Sequence, residues 1–367
     1  MKSEQQLIYQ IALTLIPNIG DVLAKNLVSY CGGVEAVFKE KKSKLLKIPG
    51  IGEFLAESIS NFKAFERAEE ELKFIKKHKI KTLFYLDEAY PFRLKDIYDS
   101  PCLMYYLGDA DLNTLKIVSI VGTRKASDYG KAFTENLVAD LTEQNCLILS
   151  GLALGIDGYA HRAAVKNNLP TVGVLAHGLD RIYPATHKKL AAQMLEKGGL
   201  LTDFPSGTIP DAPNFPKRNR IVAGMCDVLV VVETALKGGS RITAEIANSY
   251  NKDIMALPGR VNDEYSSGCN HLIRVNKASV ITCAQDLMEL MNWHTTNATK
   301  PKQHTLTLDL EPDDLLIVNY IKQKNKIGID DISFDLHMNQ GEVLMRLLQL
   351  EFKGIVRSLP GKFFEMI

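Results

Sequence analysis

Charge of one sign is nearly absent as a global feature of this 367-residue chain: 44 Lys and Arg face 43 Asp and Glu, for a net +1. Any anion-binding surface must then be a local patch, balanced by acidic surface elsewhere. Cysteine is sparse and scattered, at positions 31, 102, 146, 226, 269 and 283, without a C-x-x-C or a His/Cys cluster. That argues against a structural zinc site and a disulfide framework, and for a reducing compartment. Long hydrophobic runs are missing too. The opening MKSEQQLIYQIALTLIPNIG is too short and interrupted an apolar run for a signal peptide or a membrane span. A cytoplasmic protein without membrane insertion is expected.

Nucleotide motifs are missing as well. Gly130-Lys131 follows Gly122 by too many residues for G-x-x-x-x-G-K-[ST], and Ala132 occupies the hydroxyl position. No G-x-G-x-x-G follows an expected strand, and no serine sits in a G-x-S-x-G elbow. ATPase, dehydrogenase and hydrolase readings lose their usual support, and no cofactor or metal is expected.

What is present is a length fit for two or three domains and the composition of a soluble globular chain, 46% hydrophobic and 24% charged. Residues 1–75 read as helical, with two related segments: Ile16-Pro17-Asn18-Ile19-Gly20 before Ala24, and Ile48-Pro49-Gly50-Ile51-Gly52 before Ala56. Each fits a helix-hairpin-helix, in which a tight turn is followed by a small residue that lets the second helix pack closely. Ten Lys/Arg against ten Asp/Glu over 1–75 leave a DNA clamp and a purely structural pair both open. Residues 76–114 read as a connecting segment.

From 115 to 293 short apolar runs alternate with helical periodicity. The runs are Lys116–Val121, Cys146–Ser150, Thr171–Ala176, Gly199–Phe204, Asp227–Glu233 and Asp253–Leu257. Such alternation predicts a Rossmann-like, doubly wound parallel α/β sheet, whose ligands sit beyond the carboxyl ends of the strands. Three of those ends carry glycine loops: Gly122-Thr123-Arg124, Ser150 through Gly151 and Gly155 to Gly158, and Lys237-Gly238-Gly239-Ser240-Arg241. A fourth element, Asn214-Phe215-Pro216-Lys217-Arg218-Asn219-Arg220, sets three fixed cations at or just before the N-terminus of a helix carrying Ile221, Val222 and Met225 inward. Glycine permits close backbone approach and a helix N-terminus favours negative charge, so this sheet edge is expected to bind an extended phosphate-bearing anion.

These stretches carry a resemblance. SIVGTRKASDYG (119–130), LILSGLALGIDGYAHRAA (147–164), GVLAHGLDRIYPATH (173–187), NFPKRNRIVAG (214–224), VLVVVETALKGGSRITAEIA (228–247) and ALPGRVNDEYSSGCNHLI (256–273) resemble the DprA/Smf DNA-processing family. The resemblance implies a non-enzymatic protein of natural transformation that binds and shields incoming single-stranded DNA and loads the recombinase RecA. It also implies a homodimer through the Rossmann-like domain. The family's DNA-contacting arginine falls on Arg124 and its basic pocket on Lys217, Arg218 and Arg220. Gly151, Gly155, Gly239 and Ser240 fall on phosphate-facing loops. Gly122, Ser150, Phe215, Asn219 and Arg241 complete the expected DNA-binding set, with Arg241 departing from the family pattern and left between a phosphate contact and solvent. His177 also departs and receives no role.

Other side chains have plainer readings. Phe204, Phe215 and Tyr183 are either base-stacking aromatics or packing. Asp157 is expected as a helix N-cap with His161 one turn on as its partner, and Asp180 and Asp203 as acceptors at turns and strand ends. Met255 and Asn270–Ile273 are candidate interface material. The competing reading is a phosphoribohydrolase-type enzyme, because Gly238-Gly239 with Glu245 resembles a G-G-x-G-T-x-x-E loop. Arg241 and Ile242 break that loop where a ribose phosphate would need close backbone approach. A scaffold without DNA affinity is the third.

Residues 294–312 form a polar linker. Asp313–Gln323, Ile329–Leu336 and Gln340–Phe352 read as three helices before a hairpin, a winged helix-turn-helix over 313–367. With seven Lys/Arg against eight Asp/Glu there, a protein-contact or regulatory module is favoured over groove binding.

Overall fold

Residues 3–293, 311–324, 326–359 and 361–366 are described by the computed structural model, and they fall in two compact units, 1–295 and 296–367. Most of the expected linker, 294–310, lies outside the described residues.

Strand alternation builds the core of the first unit. Its sheet comprises β1 (Lys81–Phe84), β2 (Leu103–Gly108), β3 (Ile117–Val121), β4 (Leu147–Ser150), β5 (Thr171–Val174), β6 (Gly199–Thr202), β7 (Val228–Val231), β8 (Asp253–Ala256) and β9 (Ser279–Val280). Ile117 and Val121 pack on one face with Ile221, Val222 and Met225, while Val118 and Ile120 pack on the other with Val138 and Ala160. Both faces are covered, as a parallel sheet requires, since successive side chains point to opposite sides. The strand order is β1-β2-β6-β5-β4-β3-β7-β8-β9. The order reverses beside β3, with β4, β5 and β6 running out on one side and β7, β8 and β9 on the other.

The six expected strands and the expected doubly wound sheet are present. The parallel character stops at one edge, where β2 pairs antiparallel with β6 and β1 antiparallel with β2. Residues 76–114, read as a connecting segment, thus supply two strands. Met104 and Tyr106 of β2 join the sheet core, while Leu103 and Tyr105 join the core of the N-terminal helices. Met255, a candidate for an interface, is buried within β8 between neighbouring strands.

The N-terminal helices contain the two hairpins. Asn18 and Gly50 take the left-handed conformation at equivalent turn positions, with φ of 62° and 85°. The N–H of Ala24 reaches the carbonyl of Gly20, and that of Ala56 the carbonyl of Gly52, each at 2.9 Å. Both alanines are buried, which is the close packing a small residue permits.

Ion pairs fix this module to the sheet. Asp21 accepts the Cys102 N–H at 2.7 Å through one oxygen and meets Arg220 at 2.7 Å through the other. Arg220 also meets Asp203 at 2.8 Å and donates to the Asp99 carbonyl. A second tie runs through Glu71, which accepts the Ser206 N–H at 3.0 Å and pairs with Arg67 at 2.8 Å.

In the second unit, helices Pro312–Lys324, Ile329–Asp335 and Gln340–Phe352 precede β11 (Val356–Leu359) and β12 (Phe363–Met366). A short β10 (Lys326–Gly328) completes a three-stranded sheet in the order β10-β12-β11. Ile317, Ile321, Ile332, Val343, Leu347 and Leu350 form its own core. Its helices and hairpin occur where expected.

Replacing Arg220 by Ala should leave Asp203 buried without its cation. The expected loss is about 3–5 kcal/mol in the stability of the first unit, read as a lower midpoint in urea denaturation followed by circular dichroism.

Candidate nucleic-acid interface

Outside the carboxyl ends of β3, β4 and β7, at the reversal of strand order, lies a cleft of ≈ 370 Å³. Gly122, Thr123, Arg124 and Lys125 line it after β3, Gly151 and Ala153 after β4, and Thr234, Gly238, Gly239 and Ser240 after β7. Phe215, Arg218 and Asn219 close it from the Asn214–Met225 helix. Sequence-distant glycine loops thus meet in one place.

Each loop is held by specific bonds. Glu233, buried at the end of β7, accepts the Thr123 N–H through its carbonyl at 2.7 Å. Its carboxylate accepts the Ser127 N–H at 2.9 Å and the Ser127 hydroxyl. Gly155 takes φ +76°, and a Cβ there would collide with the carbonyl of Thr123 and the backbone of Arg124. The exposed Arg124 guanidinium lies 5.1 Å from the centre of the Phe215 ring, within cation–π range. The Gly239–Ser249 helix begins at the cleft with no side-chain cap, so its first N–H groups and positive dipole end face the space.

Arg218 differs from Arg124 in kind. It is 5% exposed, and one guanidinium nitrogen donates to the carbonyls of Gly151 and Val174. Asn219 accepts from its Nε at 3.1 Å. Beside it lies Asp157, whose carboxyl is raised by burial and pulled back by the Arg218 charge. Burial in turn lowers Arg218, with Asp157 opposing the shift.

The chain also matches the model of DNA recombination-mediator protein A over residues 81–292, and a helix-hairpin-helix model over residues 10–71. It belongs to the DprA/Smf family. Smf of Synechocystis is 31% identical across 97% of this chain and 98% of its own length. DprA of Streptococcus pneumoniae is 39% identical over 55% of this chain and 71% of its own. The X-ray structure of that streptococcal DprA superposes with a TM-score of 0.66 at 31% identity, covering 79% of this chain and 98% of its own. DprA of Helicobacter pylori, solved to explain its single-stranded DNA binding mode, superposes at 0.53 and 30% identity, covering 59% and 96%.

Not every expected site residue of this DprA/Smf chain reaches the cleft. The linear Lys/Arg cluster lies inside the helix, because the helix starts at Asn214 and runs through it. At 100° per residue the cluster divides between two faces. Phe215, Arg218, Asn219 and Val222 face the first cleft, whereas Pro216, Lys217 and Arg220 line a second one against Asp21 and Asp203. Ser150 is buried, its hydroxyl donating to the Ile120 carbonyl at 2.5 Å. Gly155 works from behind the Arg124 loop. Arg241 turns away to the Leu236 carbonyl at 2.5 Å and to Glu245 at 3.5 Å.

Further expectations change. Asp157 is not the helix cap, a position held by Gly155; it lies inside the first turn and its carboxylate faces Arg218 and the Ala153 N–H. His161 does not reach Asp157: its Nδ1 lies 2.7 Å from the Thr171 hydroxyl. That hydroxyl donates to the Ile148 carbonyl, which leaves its oxygen to accept from Nδ1. Phe204 lines the second cleft, and Tyr183 stands 6.3 Å from Phe215. His177 gains a structural role: Nδ1 bonds the Gly178 carbonyl and Nε2 accepts the Tyr183 N–H. Thr123, Lys125, Asp157, Thr234 and Tyr265 line the cleft without having been singled out as contacts. Hydroxyls flanking the glycine loops were the available signal.

Gly155→Ala should displace the Arg124 loop without unfolding the sheet; oligonucleotide anisotropy is expected to show weakened binding while the far-ultraviolet spectrum is kept. Burial lowers His161 to about 3 from an ordinary 6.5. Its unfolded form takes up a proton first as the pH falls, so its contribution is complete above 6.5 and is lost between 6.5 and 3. The slope is at most about 1.4 kcal/mol per pH unit. Denaturation of His161→Gln against the parent from pH 7 to 5 should show a shallower decline in the variant.

Proposed function

We propose that this chain binds single-stranded DNA along the carboxyl edge of its sheet, with phosphates in the glycine-lined cleft, and delivers the strand to RecA during transformation. One observation carries the reading: glycine loops from three strands, the exposed Arg124 and an uncapped helix N-terminus converge on one open cleft. Donors of that kind recognise phosphate oxygens irrespective of base, and the ligand of the Helicobacter relative has the same chemistry. In this reading Gly122, Arg124, Gly151, Asn219, Gly239 and Ser240 meet the backbone of the strand. Phe215 and Tyr183 offer aromatic faces beside it, and Arg218 acts by holding the cleft in shape. We also assign homodimerisation to the Rossmann-like part, protection of the bound strand from nucleases, and a protein-contact role to a winged-helix module at 313–367. Cytoplasmic location and a non-enzymatic role accompany the proposal.

The test is a titration of fluorescent oligo-dT across salt concentrations. Arg124→Ala should weaken binding by about 10- to 100-fold, as loss of a charge-assisted contact does. It should also reduce the log–log salt slope by about 0.7, one single-strand phosphate contact. Lys217→Ala, on the opposite helix face, should leave the slope unchanged. A slope insensitive to Arg124 sinks the cleft assignment.

A further inference from the structure

The third helix of the second unit, Gln340–Phe352, presents a row of apolar side chains to solvent. Leu344 is 44% exposed, Met345 65%, Leu348 43% and Phe352 92%. Opposite them, Val343, Leu347 and Leu350 are fully buried in the unit's own core. The outward row is therefore surplus to folding. Met345, Leu348 and Phe352 recur at spacings of three and four, the seam along which two helices interlock.

A DNA groove is a poor occupant for that face. Arg346, the helix's single cation before Lys353, is already held by Asp314 at 3.1 Å, Asp313 at 2.8 Å, Glu311 at 3.3 Å and Glu342 at 3.4 Å. A duplex would meet leucine, methionine and phenylalanine bordered by carboxylates; among the described residues of this helix and its cap, Arg346 and Lys353 are both engaged by acids, Lys353 by Asp314 at 3.8 Å.

The row instead suits its own image. Leu348 lies near its midpoint, so an antiparallel pair of these helices sets Leu348 against its copy and Met345 against Phe352 of the second chain. Glu342 in the first turn and the capping Lys353 are held within their own chain, by Arg346 at 3.4 Å and Asp314 at 3.8 Å, so the ends of the row carry no unbalanced charge to repel a second copy, and the same twofold opposes the helix dipoles. The four side chains leave on the order of 500 Å² of apolar surface per copy, so complete coverage in a pair amounts to about 1,000 Å², the lower bound for a specific interface.

We propose that residues 340–352 form a second self-association site, distinct from the Rossmann-like part, whose occupant is the same helix of another copy. This rests on the protein-contact reading of 313–367 and is independent of the cleft. Two such surfaces on one chain allow dimers to join into longer arrays.

The experiment uses full-length protein. Leu348→Cys in a Cys283→Ser background, under mild oxidation, should give a disulfide-linked dimer on non-reducing gels. Because pairing raises the local thiol concentration to the millimolar range, the yield should exceed that of the exposed control Lys322→Cys about tenfold or more. In sedimentation velocity, Leu348→Glu should remove one concentration-dependent association step and leave oligo-dT binding intact. Equal yields at positions 348 and 322 overturn the self-association site. Weakened duplex-DNA binding by Leu348→Glu overturns it together with the protein-contact reading.

Discussion

Arg218 places a guanidinium where β4 and β5 end, against the carbonyls of Gly151 and Val174 and beside the carboxylate of Asp157. A buried charge without such partners is costly, so the helix that carries it is constrained to the edge of the sheet. The constraint has two outcomes at once. One face of the helix then offers Phe215 and Asn219 to the cleft, and the other offers Lys217 and Arg220 to the N-terminal module. The cleft and the docking of the hairpins are set by one side chain that is almost wholly buried and, in this reading, does not itself bind DNA.

The duplicated hairpin shows how context divides equivalent pieces. Both turns share their hydrogen bonds and their buried alanine. In the first, the residue after Gly20 is Asp21, whose carboxylate is engaged by Arg220 and Cys102. In the second, Glu53 reaches the exposed Lys42 and the neighbouring Phe54 is exposed. The first hairpin is thus a structural joint between module and sheet, a tie that the second copy lacks.

The sheet was legible because its strands are continuous Val, Ile and Leu runs bounded by glycine, a pattern few other structures produce. The glycine loops were legible because strand ends in such sheets all point one way. The division of the Lys217–Arg220 cluster was hidden by Pro216, which reads as a break, although proline is accepted in the first turn of a helix. Once the start moves back to Asn214, the two faces follow. Glu233 and Ser127 stand 106 positions apart, and only the parallel pairing of β3 with β7 brings them together. Likewise, four-residue spacing suggested Asp157 as the partner of His161, whereas the partner that wins comes from β5.

β2 belongs to two cores at once, with Tyr105 facing the helical module and Tyr106 the sheet. Its backbone also covers the outer rim of β6, from Gly199 to Thr202. A fragment beginning near residue 115 would strip that rim and leave a row of unpaired peptide groups beside buried leucines, an open template for strand addition between molecules. The helical module and its hairpin of strands therefore serve as the hem of the sheet. They keep a protein rich in continuous β-forming runs from growing sideways into aggregates.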